Sequence, residues 1–449
     1  MDKIALVNPK LPLTFSTAPP FNLMCLAAYI RTLAEVKIID EVAGQNVEKE
    51  LLSFQPDWVG VTVQTPCAYR AYDIADFAKE HLDCKVALGG HHATARAREA
   101  LQHADHVVLN EGEKVLKGLI TGDITEPIIH GVPLRDLDAV PSLPWDAINF
   151  EFYVQTKHNQ PYAPFPLDNP RAMSIITSRG CPRRCIFCWN SLRATPVRFN
   201  SAERVCFEVD QLMNRGINSI HFNDDDFLTN RKRLPTMFQH FRKVGLVWGC
   251  QATASTITEK IAEMLARSNC AYVGMGLEHG NPRILNILKA GSVTVEQNKK
   301  AIQVLKKYGI PIIGSFIFGT PSETSEEMKD TVNFIIEQPL DSVVINSLTA
   351  YPATTLWKMV EEKLKGVDYS TLVPSSGPQN EAILCDTMSK DGFKKFLKDV
   401  VAITIFKRGL RFARLQNRSW LRLFFRHPFY PYFLVRHPFT AARIIRRAR

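Results

Sequence analysis

The sequence predicts an α/β protein: a doubly wound parallel sheet, then a partial (β/α)6 barrel, then a basic helical tail. Three observations carry this reading. Short apolar runs alternate with amphipathic stretches twice, over residues 1–125 and again from residue 172. A proline-rich stretch with neither periodicity separates the two series. Residues 401–449 hold twelve Lys or Arg and no Asp or Glu. Strands joined by helical crossovers pair in parallel and are covered on both faces, so a βαβα rhythm implies this class.

In the first series (1–125), strands are predicted at 3–7, 35–39, 57–63, 85–88 and 106–109, and helices near 22–33, 46–53, 69–82, 93–102 and 113–120. Ligands of doubly wound sheets sit beyond the carboxyl ends of the strands. The loops there are 8–20, 64–69, 89–94 and 110–114. Residues 126–171 contain Pro127, Pro133, Pro141, Pro144, Pro161, Pro164, Pro166 and Pro170. Proline disrupts helix interiors and sheet ladders alike, so this stretch reads as a linker. In the second series (172–370), strands are predicted at 173–178, 218–222, 247–252, 271–276, 312–318 and 342–347. Helices fit near 201–215, 231–243, 257–267, 294–308, 323–336 and 354–364. Six such units make a partial barrel; eight would need more chain. Residues 371–449 read as helical, ending in a basic, aromatic tail.

At 449 residues, two or three domains are expected, and 45% hydrophobic with 22% charged residues suits a globular protein with a sizeable core. No run of eighteen apolar residues predicts a transmembrane helix. Met1–Val7 leads straight into a strand without signal-peptide features, so a cytoplasmic location is expected. The net charge of +10 resides in the tail, leaving residues 1–400 near −2. Ten cysteines in such a chain do not argue for disulfides. Seven are scattered and read as small buried residues. Three cluster, at Cys181, Cys185 and Cys188.

These three lie in Ser178-Arg179-Gly180-Cys181-Pro182-Arg183-Arg184-Cys185-Ile186-Phe187-Cys188-Trp189-Asn190, on the loop after the first barrel strand. Barrel active sites form on that face. Three thiolates can hold three irons of a [4Fe–4S] cube and leave the fourth iron open. A ferredoxin site would supply four cysteines, and structural zinc four Cys or His ligands; no His lies close enough to complete such a set. The segment resembles the C-x3-C-x-aromatic-C motif of the radical S-adenosylmethionine (SAM) superfamily. The resemblance implies that the open iron chelates SAM, with Phe187 beside it. It also implies that an electron from the cluster cleaves SAM to a 5′-deoxyadenosyl radical.

Further segments extend the resemblance. Ile220–Phe227, with Asp224, Asp225 and Asp226, is similar to the family's F-x-D-D-x-F signature, and Asp225 and Asp226 are the favoured site residues. A solvated acidic turn or helix cap is the alternative. Gly274–Gly280 resembles the G-x-E-S-G strand ending, which implies that Glu278 contacts SAM or substrate. His279 stands where Ser is usual. Gly309–Thr324 resembles the fifth-strand motif, with Ile317 and Gly319 against the adenine; Thr320–Glu323 reads equally well as a helix start. Trp248-Gly249-Cys250-Gln251 lacks the Arg often present there.

In the first series, Gly89-Gly90-His91-His92-Ala93-Thr94 and Asn110-Glu111-Gly112-Glu113 resemble the G-G-x-H-x-T and G-E-G-E motifs of the cobalamin-binding subclass. Asn110 departs from the pattern. This implies a Rossmann-like cobalamin domain with Gly89, Gly90, His91, Glu111 and Gly112 at the cofactor. The absence of D-x-H-x-x-G implies cobalamin without a protein imidazole ligand. An unliganded or nucleotide-binding domain is the alternative, although no G-x-G-x-x-G follows the first strand. The resemblance spans about residues 1–370. It implies methylation of an unactivated carbon in a small-molecule or lipid substrate, and a flavodoxin- or ferredoxin-type electron donor. Radical cyclisation, oxidation or coupling with the same cofactors is the nearest alternative, and a non-catalytic cobalamin or redox sensor the more distant one. In the tail, Arg411, Arg414, Arg418 and Arg422 recur at helical spacing among Leu410, Leu415, Trp420, Leu421, Leu423, Phe424 and Phe425. This pattern suits an anionic membrane surface. A helix packed on the barrel, or nucleic-acid binding, is the alternative.

Overall fold

Within each of the two six-stranded sheets every strand pairs in parallel with its neighbours. The computed structural model describes residues 1–11, 18–155, 171–192, 196–374, 382–415 and 429–448. In the first sheet, β1 (Lys3–Asn8), β2 (Glu35–Asp40), β3 (Trp58–Thr62), β4 (Lys85–Gly89), β5 (His106–Leu109) and β6 (Ile128–His130) lie in the order β2-β1-β3-β4-β5-β6. Both faces are apolar, as the period of two in these strands requires once helices cover each side. Ala5, Val7, Val59, Val61, Val86, Leu88 and Val107 belong to one buried cluster. Ile4, Leu6, Ala87 and Val108 belong to the other. The chain changes winding direction between β1 and β3, which opens a crevice at the carboxyl ends of those strands.

β6 corrects the sequence reading. Ile128–His130 is a strand at the edge of the sheet, paired with Val107–Leu109, and not part of a linker. Pro127 and Pro133 flank it, and an edge strand tolerates flanking prolines because one of its sides needs no partner.

The second sheet contains β7 (Ala172–Ile175) and, after the short antiparallel pair β8 (Ser178–Arg179) and β9 (Arg198–Phe199), the strands β10 (Ser219–Phe222), β11 (Val247–Ala252), β12 (Cys270–Glu278), β13 (Ile312–Phe318) and β14 (Ser342–Ser347). Its order is β14-β13-β12-β11-β10-β7, the expected six-unit partial barrel. The β8–β9 pair frames the cysteine segment. Inside the barrel, Gly249 makes room for the Tyr272 ring and Gly274 for the Gln251 amide. Tyr272 Oη bonds His221 Nδ1 at 2.8 Å.

The helix Lys390–Leu415 runs along β14 and buries Phe393, Leu397 and Val400 in the main core. The helices Phe429–Arg436 and Pro438–Ala448 dock on the helix Ser325–Glu337 through Ile336, Ile403, Phe406, Phe433, Ala441 and Ile444. Lys407 Nζ donates to Ile335 O and, at 2.5 Å, to Gln338 O. Arg443 pairs with Glu337 at 2.6 Å. These parts of the tail are therefore packed on the barrel. Arg411 and Arg414 fall in the last turns of the long helix, and Arg418, Trp420 and Arg422 lie outside the described residues.

Candidate active site between the two sheets

A cavity of about 670 Å³ opens between the carboxyl ends of the two sheets. From the first sheet it is lined by Asn8, Gly89, Gly90, His91, Asn110 and Gly112, among others. The second contributes Ile176, Ser178, Arg179, Gly180, Asn190 and Asp225. Its size lies within the range of cofactor and small-ligand sites.

The cysteine loop leaves β8 through Gly180, whose φ of +92° favours glycine. Cys188 N–H donates to Cys185 O at 3.0 Å, closing a turn. Between them Ile186 is tied on both sides: its N–H donates to Leu288 O at 3.0 Å and its carbonyl accepts from Leu356 N at 2.9 Å. Its side chain packs in a cluster with Ile284, Leu288, Ile317 and Trp357, with Phe187 against the same cluster. Burial pushes the Cys181 and Cys188 thiols up to about 11, with nearby Asp225 adding to the rise. Burial also raises Cys185, but the Lys289 ammonium opposes it. Buried neutral thiols of this kind lose their protons readily only to a metal. Among the described residues no three His, Cys, Asp or Glu side chains converge on a single ion. A mononuclear site demands such convergence; an iron–sulfur cube does not, because each thiolate takes a different iron.

Behind the loop, the three aspartates after β10 have separate tasks. Asp224 is buried and accepts from Thr177 N at 3.1 Å and from the Ser178 hydroxyl, so it braces the residues that lead into Cys181. Burial raises its carboxyl to about 6, opposed by Arg233. Asp225 is exposed to the cavity and accepts from Asn190 Nδ2 at 2.7 Å. Asp226, the second favoured carboxylate, is buried near Thr256, and its charge adds to the rise of the Cys181 thiol. Asp224 and Asp225 line the cavity.

Glu278 ends β12 with a left-handed φ of +58°. Its carboxylate folds back over Gly276, where any Cβ would collide with it. It pairs with buried Lys289 at 3.1 Å. Burial alone would lower the Lys289 pKa; Glu278 and the Cys185 and Cys181 thiols reverse the sign and raise it. Lys289 was missed in the sequence because the helix Pro282–Lys289 was not predicted. The signals were present: Asn281 caps Arg283 N at 3.0 Å, Pro282 occupies the first turn, and Ala290-Gly291 ends the helix.

Next along the barrel, His279 and Glu323 form a fully buried pair at 2.8 Å. Asn281 N–H donates to His279 Nδ1, so Nε2 carries the proton that points to Glu323. The other Glu323 oxygen accepts from Gly319 N and Thr320 N, both at 2.8 Å. His279 therefore replaces the usual Ser with a structural tie from β12 to β13. One expectation changes with it. The helix starts at Thr324, in a capping box with Glu327, and not at Thr320. The close approach that Gly319 permits is made by Phe393, whose ring would lie 2.7 Å from an added Cβ. Ile317 lies in the cluster that holds Ile186.

On the first sheet's side, Gly90 has φ +106°, and an added Cβ would meet Val63 O at 2.9 Å. Gly112 would meet Leu26 at 3.3 Å. Thr94 Oγ1 donates to Gly90 O at 2.8 Å and accepts from Asn110 N at 3.0 Å, joining the two motifs. Asn110 has φ +66°, a conformation that Asn tolerates better than most residues, which accounts for the departure from Gly. His91 is exposed to the cavity, 5.1 Å from the Trp189 ring. Glu111 faces the barrel: Arg198 grips both its oxygens, at 2.5 and 2.9 Å, and Arg179 stands at 3.2 Å. Burial would raise its pKa, but Arg198 and Arg179 bring it below the ordinary value. Arg179 also reaches Glu113 at 2.6 Å. These carboxylates join the two walls.

Comparison with known proteins follows the same division. The family model described as the Radical SAM superfamily matches residues 175–335, and the B12 binding domain matches residues 15–120. An uncharacterized methyltransferase of Pyrococcus horikoshii is 32% identical over 373 residues, covering 76% of this chain and 78% of that protein. The chain belongs to the cobalamin-dependent radical SAM enzymes. An anaerobic magnesium-protoporphyrin IX monomethyl ester cyclase of Rubrivivax gelatinosus is 25% identical, covering 78% of this chain and 68% of the cyclase. Among solved structures, the cobalamin-dependent SAM radical enzyme OxsB, with aqua-cobalamin and SAM bound, superposes with a TM-score of 0.72 at 17% identity. That match covers 98% of this chain and 72% of OxsB, and establishes the shared fold. In this radical SAM enzyme the two matched regions coincide with the two cavity walls. Three thiols on an anchored loop, one buried and two half-buried, and a chamber with glycines in its wall are surroundings that fit the family's [4Fe–4S] cluster, SAM and cobalamin.

Proposed function

We propose that this enzyme methylates an unactivated carbon of a small-molecule or lipid substrate. In this reading residues 1–125 hold cobalamin, residues 172–370 generate the radical, and 126–171 and 371–449 join and flank them. The observation that carries it is one cavity lined both by Gly89 and Gly90 and by Ser178, Arg179, Gly180 and Asn190, the two ends of the cysteine segment. Two reactive centres that share one chamber can act in turn on one bound carbon without releasing it.

Cys181, Cys185 and Cys188 would hold the cluster, with Phe187 beside SAM. When bound, the three groups supply hydrogen-atom abstraction and a transferable methyl group. The chain's own residues do the positioning. The Glu278–Lys289 pair sets opposite charges at the edge of the loop, suited to the amino and carboxylate groups of an amino-acid cofactor. Asp225, with Asn190, places an acceptor on the chamber wall. Gly89, Gly90 and Gly112 would let backbone approach the macrocycle, with His91 on the same wall and Glu111 fixing the wall behind it.

Incubation of the reconstituted protein with SAM, cobalamin and a low-potential reductant tests the reading. It expects 5′-deoxyadenosine, S-adenosylhomocysteine and a product heavier by one methyl group. Deoxyadenosine with no methylated product would favour cyclisation, a chemistry that the similarity to the cyclase keeps in view. A protein with an intact cluster that yields no deoxyadenosine would defeat the enzymatic reading.

A further inference from the structure

Lys289 serves two partners. It is 6% exposed and pairs with Glu278 at 3.1 Å. The residue before it, Leu288, accepts from Ile186 N–H at 3.0 Å, which sets the last turn of the helix Pro282–Lys289 alongside Cys185. The ammonium acts as a donor to the Cys185 sulfur, and its charge extends to Cys181. An ammonium carries three N–H donors, so the two contacts coexist. Its place is fixed. Leu288 is fully buried in the cluster that holds Ile186. Gly276 leaves the room that the pair occupies, since an added Cβ would lie 2.4 Å from Glu278 Oε1 and 3.5 Å from Lys289 Nζ.

Charge beside thiolate-held iron bears on how readily the iron accepts an electron. Each electron taken up adds one negative charge to a site that thiolates already make anionic. A nearby ammonium therefore favours the reduced form, and a nearby carboxylate the oxidised form; charge and hydrogen bonds to sulfur are levers on such potentials. The cations within the cysteine loop have less leverage. Arg184 is exposed, where water and salt screen it, and half-buried Arg183 is held on exposed Ser255 Oγ at 2.5 Å. Lys289 is shielded from solvent, so its charge is screened much less.

We propose that the Glu278–Lys289 pair sets the electron affinity of the cluster, with Lys289 raising the reduction potential through Cys185 and Glu278 restraining that rise. The proposal rests on the reading of Cys181, Cys185 and Cys188 as the cluster ligands. Redox titration of the reconstituted full-length protein with dithionite and mediator dyes, in the absence of SAM, tests it. The paramagnetic resonance signal of the reduced cluster gives the midpoint, and iron is counted in each sample. Lys289→Met should move the midpoint to more negative potential. At the wild-type midpoint the ratio of reduced to oxidised cluster should fall roughly tenfold, the weight of one hydrogen bond to a charged group. Glu278→Gln should move the midpoint the other way. The double variant, which leaves neither charge unpaired in the interior, should return towards the wild type. Opposite signs separate an electrostatic role from a structural one, because a loosened loop would move both single variants in the same direction. Unchanged midpoints, or shifts of the same sign, would overturn the proposal. If one single variant fails to hold iron, the other decides by the sign of its shift. A wild-type protein that takes up no iron would defeat the cluster reading, and this proposal with it.

Discussion

On the wall of the chamber contributed by the first sheet, the decisive residues are glycines and amides: Gly89, Gly90, Asn110 and Gly112. On the opposite side Asp225 lines the chamber, and behind it the decisive residues are thiols, a carboxylate and an ammonium: Cys181, Cys185, Cys188, Glu278 and Lys289. The first wall is specified by where backbone can go, the second by where charge sits. Glu111 and Glu113 belong to the first wall by sequence, yet their charges are directed at Arg198 and Arg179 of the second. The difference teaches that a face built to admit a broad planar group needs room, whereas a face built to ligate and to hold a zwitterion needs ions. The two walls should therefore fail in different ways.

The largest failure should come from the charged wall. Cys185→Ala is expected to abolish cluster assembly and reduce deoxyadenosine formation to background, measured by iron content and chromatography. Full iron content in this variant would remove the thiol from the site.

Next comes the seam. Arg198→Met leaves the buried Glu111 carboxylate with only Arg179 and the Leu134 N–H and should cost about 3–5 kcal/mol in chemical denaturation, the usual penalty for breaking a buried pair. A loss below 1 kcal/mol would mean that the walls are joined by packing and not by charge.

His221 gives the pH dependence. Burial holds its pKa near 4, against an unfolded value of about 6.5. The fold requires the neutral ring, so this stability is complete above pH 6.5 and is lost as pH falls towards 4. The loss is on the order of 3 kcal/mol. His221→Gln should flatten denaturation midpoints across that window; an unchanged slope would show that other groups govern it.

The smallest effect should come from the backbone-defined wall. Gly90→Ala forces a Cβ into a left-handed position beside Val63 O, at about 1–2 kcal/mol. Cobalamin retention should fall while iron content stays at the wild-type level. If both fall together, the contrast between the walls is false.

Much of this arrangement was legible from sequence because it is local. The strands are marked by short apolar runs, and the cysteine segment and the paired glycines are contiguous motifs. What escaped depends on partners distant in sequence or on weak local signals. Nothing near Arg198 points to Glu111, and nothing near His279 points to Glu323; each pair exists only after the barrel has formed. Asp225 and Asp226 look equivalent as neighbours in a sequence, but the turn after β10 exposes the first and buries the second. β6 was hidden by its prolines, which mean less at an edge than in a sheet interior. Lys289 was hidden by an overlooked helix start at Asn281-Pro282.

The helix Lys390–Leu415 spans 26 residues, roughly 39 Å at the usual rise. Its first turn seats Phe393 against Gly319, at the carboxyl end of β13, and Lys407, further along, is fastened where the Ser325–Glu337 helix terminates. It is a strut connecting the catalytic mouth to the terminal helices. Anything that grips those helices therefore sets the height and tilt at which the mouth is presented. Cutting the chain ahead of residue 390 would remove the ring packed on Gly319 together with the seat of the terminal helices.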